Sequence, residues 1–476
     1  MTHEEFALEI LMHLPFQANE QQMQVARALA RFCARPAEEQ RTTDRVFILN
    51  GYAGTGKTSL VGALVKVLAN NHIPTMLLAP TGRAAKVFAA SAEMPAATIH
   101  RKIYRHSISG LPGPALPREN KLAGGVFIVD EASMIPAADG RGSDLLGDLI
   151  QYVYSAQNCR LIFLGDTAQL PPVGQTVSPA MNVEVMHSMG LKVTRATLTE
   201  VARQGAFSGI LACATRLRRL MTAVQHGSEA RIILPVTKYD DVSTVEAAEL
   251  PDLLDNLYRR DGVDQTVVIT RANFSATECN RGIRAQVLDR EEELTRGDRL
   301  IVAKNNYFWT RKIKGFDFVA NGEILQIADV GPTEVKYGLR FATVTLNPVD
   351  CPNIEFTAKI MLDCLSGTAP ALDGESMQRL YRGICADPQL HPVGATAESI
   401  SQALRASEYW NALQVKYAYA LTCHKAQGGQ WANVIVDLSY IPPEEGSIDF
   451  LRWLYTAITR AFKHLYLISP PEAVIE

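Results

Sequence analysis

The chain has 476 residues, with 47 basic residues against 50 acidic ones, a formal net charge of −3, 47% hydrophobic and 20% charged residues. This excludes wholesale disorder and gives a length for about two to four domains with substantial cores. The eight cysteines are scattered without a CxxC pair, which excludes a zinc ribbon or thioredoxin-type motif and fits a reducing compartment. The start MTHEEFALEI lacks a secretory pattern and no apolar run reaches the roughly 18 residues of a membrane span, so a cytoplasmic protein with no membrane contact is expected. Near-neutral charge leaves nucleic acid open, because a basic groove can sit on an acidic body.

In chain order, residues 45–50, 75–79, 125–130 and 159–165 read as near-continuous apolar strands alternating with helical patterns. Strands apolar on both faces belong in a parallel sheet covered on both sides, which is α/β architecture. Residues 107–124 are rich in proline and glycine and read as a surface excursion. A second set of apolar strands follows at 265–270, 433–438 and 464–469. Between its first and later members, 291–408 alternates in short segments with NG at 321–322 and GP at 331–332, a small β-rich insertion with a further excursion at 366–376.

Gly51-Tyr52-Ala53-Gly54-Thr55-Gly56-Lys57-Thr58 matches GxxxxGK followed by Ser or Thr, between an apolar strand and the helical run that Ser59 continues. Such glycines let backbone N–H groups curl around a phosphate at a helix N-terminus, a lysine reaches the β/γ oxygens, and a Thr hydroxyl serves Mg²⁺. The strand at 125–130 ends in Asp130, followed by Glu131. At the carboxyl edge of an α/β sheet, Asp130 is placed to hold Mg²⁺ and Glu131 to deprotonate the attacking water. The next strand runs into Gly165-Asp166-Thr167-Ala168-Gln169, where the uncharged Gln169 can donate to a γ-phosphate or accept from water and so sense nucleotide state. ATP with Mg²⁺ is therefore expected.

These segments continue through NEQQ (19–22), APTGRAAK (79–86), ATIHR (97–101), LGDTAQLPPVG (164–174), LTEVARQ (198–204), YALTCHKAQGGQW (419–431) and LYTAITRA (454–461). Their order resembles the superfamily-one helicases, in the branch of RecD, phage Dda and Pif-type enzymes that moves 5′-to-3′ on single-stranded DNA. About fifty residues precede the phosphate loop, so the size is nearer that of Dda, and Gly429-Gln430 stands where relatives often carry an acidic residue.

The resemblance implies two RecA-like domains, one at 1–195 with a wedge hairpin at 102–124, the other at 196–290 plus 409–476, and an SH3-like barrel at 291–408. It implies Gln21 or Gln22 as the Q-motif glutamine, and Gln22 leaves Asn19 as a helix N-cap with Val25, Leu29 and Phe32 at apolar spacing. Around the nucleotide it implies Gly51, Ala53, Gly54, Thr55, Gly56, Lys57, Thr58 and Ser59, with Arg203 and Arg460 reaching the γ-phosphate when the domains close. Thr81, Arg83, Thr98 and His100 would grip the strand from the first domain, Thr422, His424 and Lys425 from the second, and Lys304 and Asn321 from the insertion. Tyr307, Phe308 and Trp309 could stack bases or form β-domain core. Implied partners are single-stranded DNA, duplex junctions and replication or repair proteins, for an enzyme active as a monomer. A nucleotide-switched accessory subunit and an RNA-directed translocase remain alternatives.

Overall fold

The computed structural model describes residues 2–33, 44–104, 118–138, 144–200, 208–314, 316, 318–390, 396–441 and 446–476. Six parallel strands form the first lobe: β1 (Arg45–Gly51), β2 (Thr75–Ala79), β3 (Ala96–Thr98), β4 (Val126–Val129), β5 (Arg160–Gly165) and β6 (Lys192–Leu198), in the order β3-β2-β4-β5-β1-β6. Their side chains alternate between two cores. Phe47 and Leu49 pack with the Glu20–Cys33 and Lys57–Asn70 helices, while Val46 and Ile48 face the Leu145–Tyr154 helix on the other side. Each inward strand position is thus buried, which is why these runs read as uniformly apolar.

The second lobe is a five-stranded parallel sheet. Its members are β7 (Val242–Val245) and β8 (Thr266–Thr270) before the insertion, and three strands after it. The insertion is a closed barrel of β9 (Arg299–Val302), β10 (Ile324–Lys336), β11 (Leu339–Pro348), β12 (Phe356–Met361) and β13 (Leu413–Tyr417). The chain then returns to the second sheet as β14 (Ala420–Thr422), β15 (Trp431–Asp437) and β16 (Ala461–Ile468), in the order β14-β8-β15-β16-β7. The Gly209–Gln225 and Ile448–Ile458 helices cover one face and the Leu250–Asp261 helix the other.

Register shifts at Ile327/Asp329 and Val330/Thr333 bend the long β10 around the barrel, as bulges do. The barrel takes its closing strand from 413–417, past the expected boundary at 408. It also carries the helices Gly374–Cys385 and Ala397–Ala406, where the sequence reading has only β-rich segments. Leu380 and Ile384, one helical turn apart, bury against Phe341 and Met361 of the barrel wall. That spacing was a readable helix signal. The excursion at 366–376 is the turn into the first of these helices.

Asp298 fastens the barrel to the second lobe. Fully buried, it accepts from Arg284 at 3.0 and 2.9 Å, from Arg290 at 2.7 Å, from the Thr295 amide at 2.8 Å and from the Tyr419 hydroxyl at 2.9 Å. Among the described residues no helix is long and apolar enough to cross a membrane.

Candidate active site between two lobes

The carboxyl edges of β1, β4 and β5 lie side by side, with Asn50 opposite Gly165 and the Asn50 side chain accepting from the Thr167 amide at 3.1 Å. This brings three sequence-distant turns to one place. In the loop after β1, Gly54 (φ 77°) and Gly56 (φ 79°) take left-handed conformations that side chains resist. Gly56 caps the Lys57–Asn70 helix without any side-chain cap, so its leading amides point outward as anion donors. The Lys57 ammonium donates to the Gly51 carbonyl and stays over the loop.

Gln22 is buried; its side-chain carbonyl and Asn19 cap each other's backbone at 3.0 and 2.8 Å, and its side-chain amide donates to the Thr55 carbonyl at 3.0 Å. It braces the phosphate loop from behind. Gln21, the other candidate, instead bonds Thr199 and the Glu200 amide beyond β6. Pro15 and Phe16, ahead of the motif, line the cleft and were not picked out from sequence.

The cleft encloses about 490 Å³ and is shared between the lobes. The first contributes Lys57, Thr58, Asp130, Glu131 and Gln169, the second Thr459, Arg460 and Phe462. Burial, then the neighbouring Glu131 charge, pushes the Asp130 carboxyl up to about 6 against the pull of Lys57. Glu131 holds φ at 51°, an uncommon conformation for a residue with a side chain and of the kind that concentrates at functional sites. Gln169 is buried with its amide oxygen unpartnered among the described residues, as a group meant for a ligand or water would be. A magnesium ion draws one or two carboxylates from protein and its other ligands from phosphate and water. Asp130 and Thr58 on one wall fit that need, and no group of three or more His, Cys, Asp or Glu exists among the described residues to serve a fully protein-bound metal.

Arg460 is buried at the cleft wall and is aimed by its own lobe. It donates to Thr456 O at 3.0 Å, Gly429 O at 3.3 Å and the Thr459 hydroxyl at 3.3 Å. Arg203 lies outside the described residues, as does 105–117 of the expected wedge. Contacts that sequence reasoning missed join the lobes around the turn after β5. The Leu170 amide donates to the Thr456 hydroxyl at 2.8 Å, Gln427 donates to Leu170 O at 2.7 Å, and Arg452 donates to Thr176 O at 2.8 Å. Tyr455 bridges the Ala53 amide (3.0 Å) and the Asp166 carboxylate (2.8 Å). These residues stand inside or beside the segments 419–431 and 454–461, so position alone could have flagged them.

The expected strand contacts divide. Thr81 and Thr98 cap the helices that follow them, accepting from the Ala84 and Arg101 amides at 3.2 Å each. Burial lowers the His100 pKa, which favours the neutral ring. Arg83 reaches across the lobes: its guanidinium lies 3.7 Å over the Trp431 ring and donates to Gln430 O at 3.3 Å. Gly428 (φ 72°) sits where a Cβ would meet Ala84 at 2.9 Å, so only glycine allows this approach. Lys304 and Asn321 are exposed on the barrel, which meets the first lobe through the Lys86–Asp350 ion pair at 3.2 Å. His424 is exposed; Thr422 and Lys425 line a small cavity with Lys416, and burial followed by the Lys416 charge brings the Lys425 amine down to about 8. Trp309 packs against the barrel core and donates to Asn411 O at 2.7 Å, whereas Tyr307 is exposed and stacked on Phe318.

A family model for an AAA domain matches residues 18–248, and one for the UvrD-like helicase C-terminal domain matches 417–468. The ATP-dependent RecD2 DNA helicase of Deinococcus radiodurans is 29% identical over 179 residues, 37% of this chain and 22% of that protein. An uncharacterized protein of Methanocaldococcus jannaschii is 24% identical over 90% of this chain and 37% of its own length. The chain thus spans well under half the length of these curated relatives. Among solved structures, Pif1 helicase from Bacteroides in complex with ADP-AlF3 and ssDNA covers 97% of this chain and 95% of its own at 14% identity and a TM-score of 0.47. Pif1 helicase from Candida albicans covers 96% of both at 15% identity and a TM-score of 0.43. With the two family models matched in chain order and the motifs in sequence, the chain is similar to the superfamily-one helicases of the RecD and Pif type.

Proposed function

We propose that this protein is an ATP-dependent DNA helicase that moves 5′-to-3′ on single-stranded DNA. The observation that carries the reading is the shared cleft, where Lys57, Asp130 and Glu131 of one lobe face Arg460 of the other. Hydrolysis builds negative charge on the transferring phosphoryl group. Lys57 and the amides of the phosphate loop neutralise it from the first lobe and Arg460, with Arg203, from the second. Glu131 takes the proton of the attacking water, and Gln169 reports whether the γ-phosphate is present. Asp130 and Thr58 would hold Mg²⁺, which would supply charge neutralisation between the phosphates.

Because the cleft has walls from both lobes, nucleotide binding and release change their separation. The first lobe grips phosphates through Thr81, Thr98 and His100, the second through Thr422, His424 and Lys425, and Lys304 and Asn321 extend the path over the barrel. Alternating grips then convert closure into stepping. The polarity follows the branch that the motifs resemble. ATP turnover with and without single-stranded DNA, with strand displacement on 5′-tailed and 3′-tailed duplexes, tests it. We expect strand-stimulated turnover and displacement of the 5′-tailed substrate. Strand-independent turnover would mark a nucleotide switch, and activity confined to RNA tails an RNA translocase.

A further inference from the structure

Tyr455 is fully buried on the Ile448–Ile458 helix of the second lobe, yet its hydroxyl contacts two elements of the first. It donates to Asp166 Oδ2 at 2.8 Å and accepts from the Ala53 amide at 3.0 Å, so its proton and one lone pair are both assigned. The other Asp166 oxygen accepts from the Ala168 amide at 3.0 Å, and the Asp166 carbonyl accepts from the Gln169 amide at 3.2 Å. One hydroxyl therefore reaches the phosphate loop and the turn that presents Gln169. On its own side, Tyr455 stands in the last turn of the helix, which ends at Ile458 two residues before Arg460. Thr456, the next residue, accepts from the Arg460 guanidinium through its carbonyl and from the Leu170 amide through its hydroxyl.

Resting on the helicase reading above, we propose that Tyr455 is a positioning residue for ATP hydrolysis, tying the phosphate loop and the Gln169 turn to the helix that aims Arg460. In this arrangement of the lobes a single hydroxyl thereby links phosphate loop, sensor and arginine. Burial and the Asp166 charge hold the Tyr455 hydroxyl well above the ordinary tyrosine range, so it remains a neutral donor over the whole working pH range.

The test is Tyr455→Phe in the full chain. Phenylalanine keeps the ring that packs in the core and removes only the hydroxyl. We expect kcat for ATP to fall roughly tenfold, the order of effect of losing a buried hydrogen-bonded link from the transition-state geometry. KM for ATP and the affinity for a fluorescent ADP analogue should stay within about twofold, since the amides of Gly56 and Lys57 still bind phosphate. Hydrogen exchange of the peptide 50–58 should quicken severalfold, while the β4 peptide 125–131 does not change. Unchanged kcat with unchanged exchange would overturn the proposal. So would a variant whose kcat, nucleotide affinity and melting temperature fall together, because that marks a merely structural side chain. If the parent protein shows no stimulation by single-stranded DNA, the translocase reading fails, whereas intrinsic turnover and exchange still decide the role of Tyr455.

Discussion

The nucleotide cleft and the barrel anchor treat buried polar groups in opposite ways. At the anchor, Asp298 receives two arginines, a hydroxyl and an amide, and nothing is left to bind. In the cleft, Gln169 keeps an oxygen unpartnered among the described residues, Asp130 is held near 6 by burial and a like charge, and Glu131 sits in a strained conformation. A satisfied network fixes geometry, whereas an unsatisfied one stores free energy that a ligand can release. The contrast separates scaffold from site without reference to motif names.

The sharpest way to break the comparison is at the site itself. Glu131→Gln should lower kcat by roughly 10²–10⁴, the range for a general base, while leaving ATP affinity intact in equilibrium binding. Loss of affinity as severe as that of Lys57→Ala would make Glu131 a metal ligand. On the scaffold side, Asp298→Ala leaves the buried Arg284 and the half-buried Arg290 without their carboxylate. It should cost about 3–5 kcal/mol in urea unfolding of the barrel and second lobe, yet nucleotide binding at the phosphate loop should persist.

A subtler probe uses pH. The folded Asp130 carboxyl ionises near 6 against an ordinary value of 3.8, so its contribution to stability is full below about pH 4 and is lost as pH rises through 6. Asp130→Asn, measured without nucleotide or magnesium, should therefore match the parent at pH 4 and be more stable by on the order of 2 kcal/mol at pH 7.5. Equal stability at both values would mean that the site does not strain this carboxylate. The smallest effect is expected at the lobe junction. Arg83→Ala removes the stack on Trp431 and should cost about 1 kcal/mol in thermal or urea unfolding, and a loss of strand binding at unchanged stability would instead restore Arg83 to the strand path.

What could be read in the chain beforehand follows a physical rule. The phosphate loop, Asp130-Glu131 and Gln169 were legible because each lies in a strand–turn of a few residues, where spacing and residue type already dictate backbone shape and chemistry. The strands were legible because burial on both faces writes an unbroken apolar run. The helices in the barrel escaped because mixed segments dominated that region, though Leu380 and Ile384 carried the signal.

Residue type alone could not assign Gln22, Arg83 or Tyr455. A glutamine amide serves a base or a carbonyl equally well, and a guanidinium grips phosphate or stacks on indole. The choice is made by whatever lies within about 3–4 Å after folding, and for Tyr455 those partners stand 402 and 289 residues away along the chain. Local sequence thus determined which chemical groups reach the sheet edge, and the docking of the two lobes decided which of them line the shared cleft and which hold the lobes to each other.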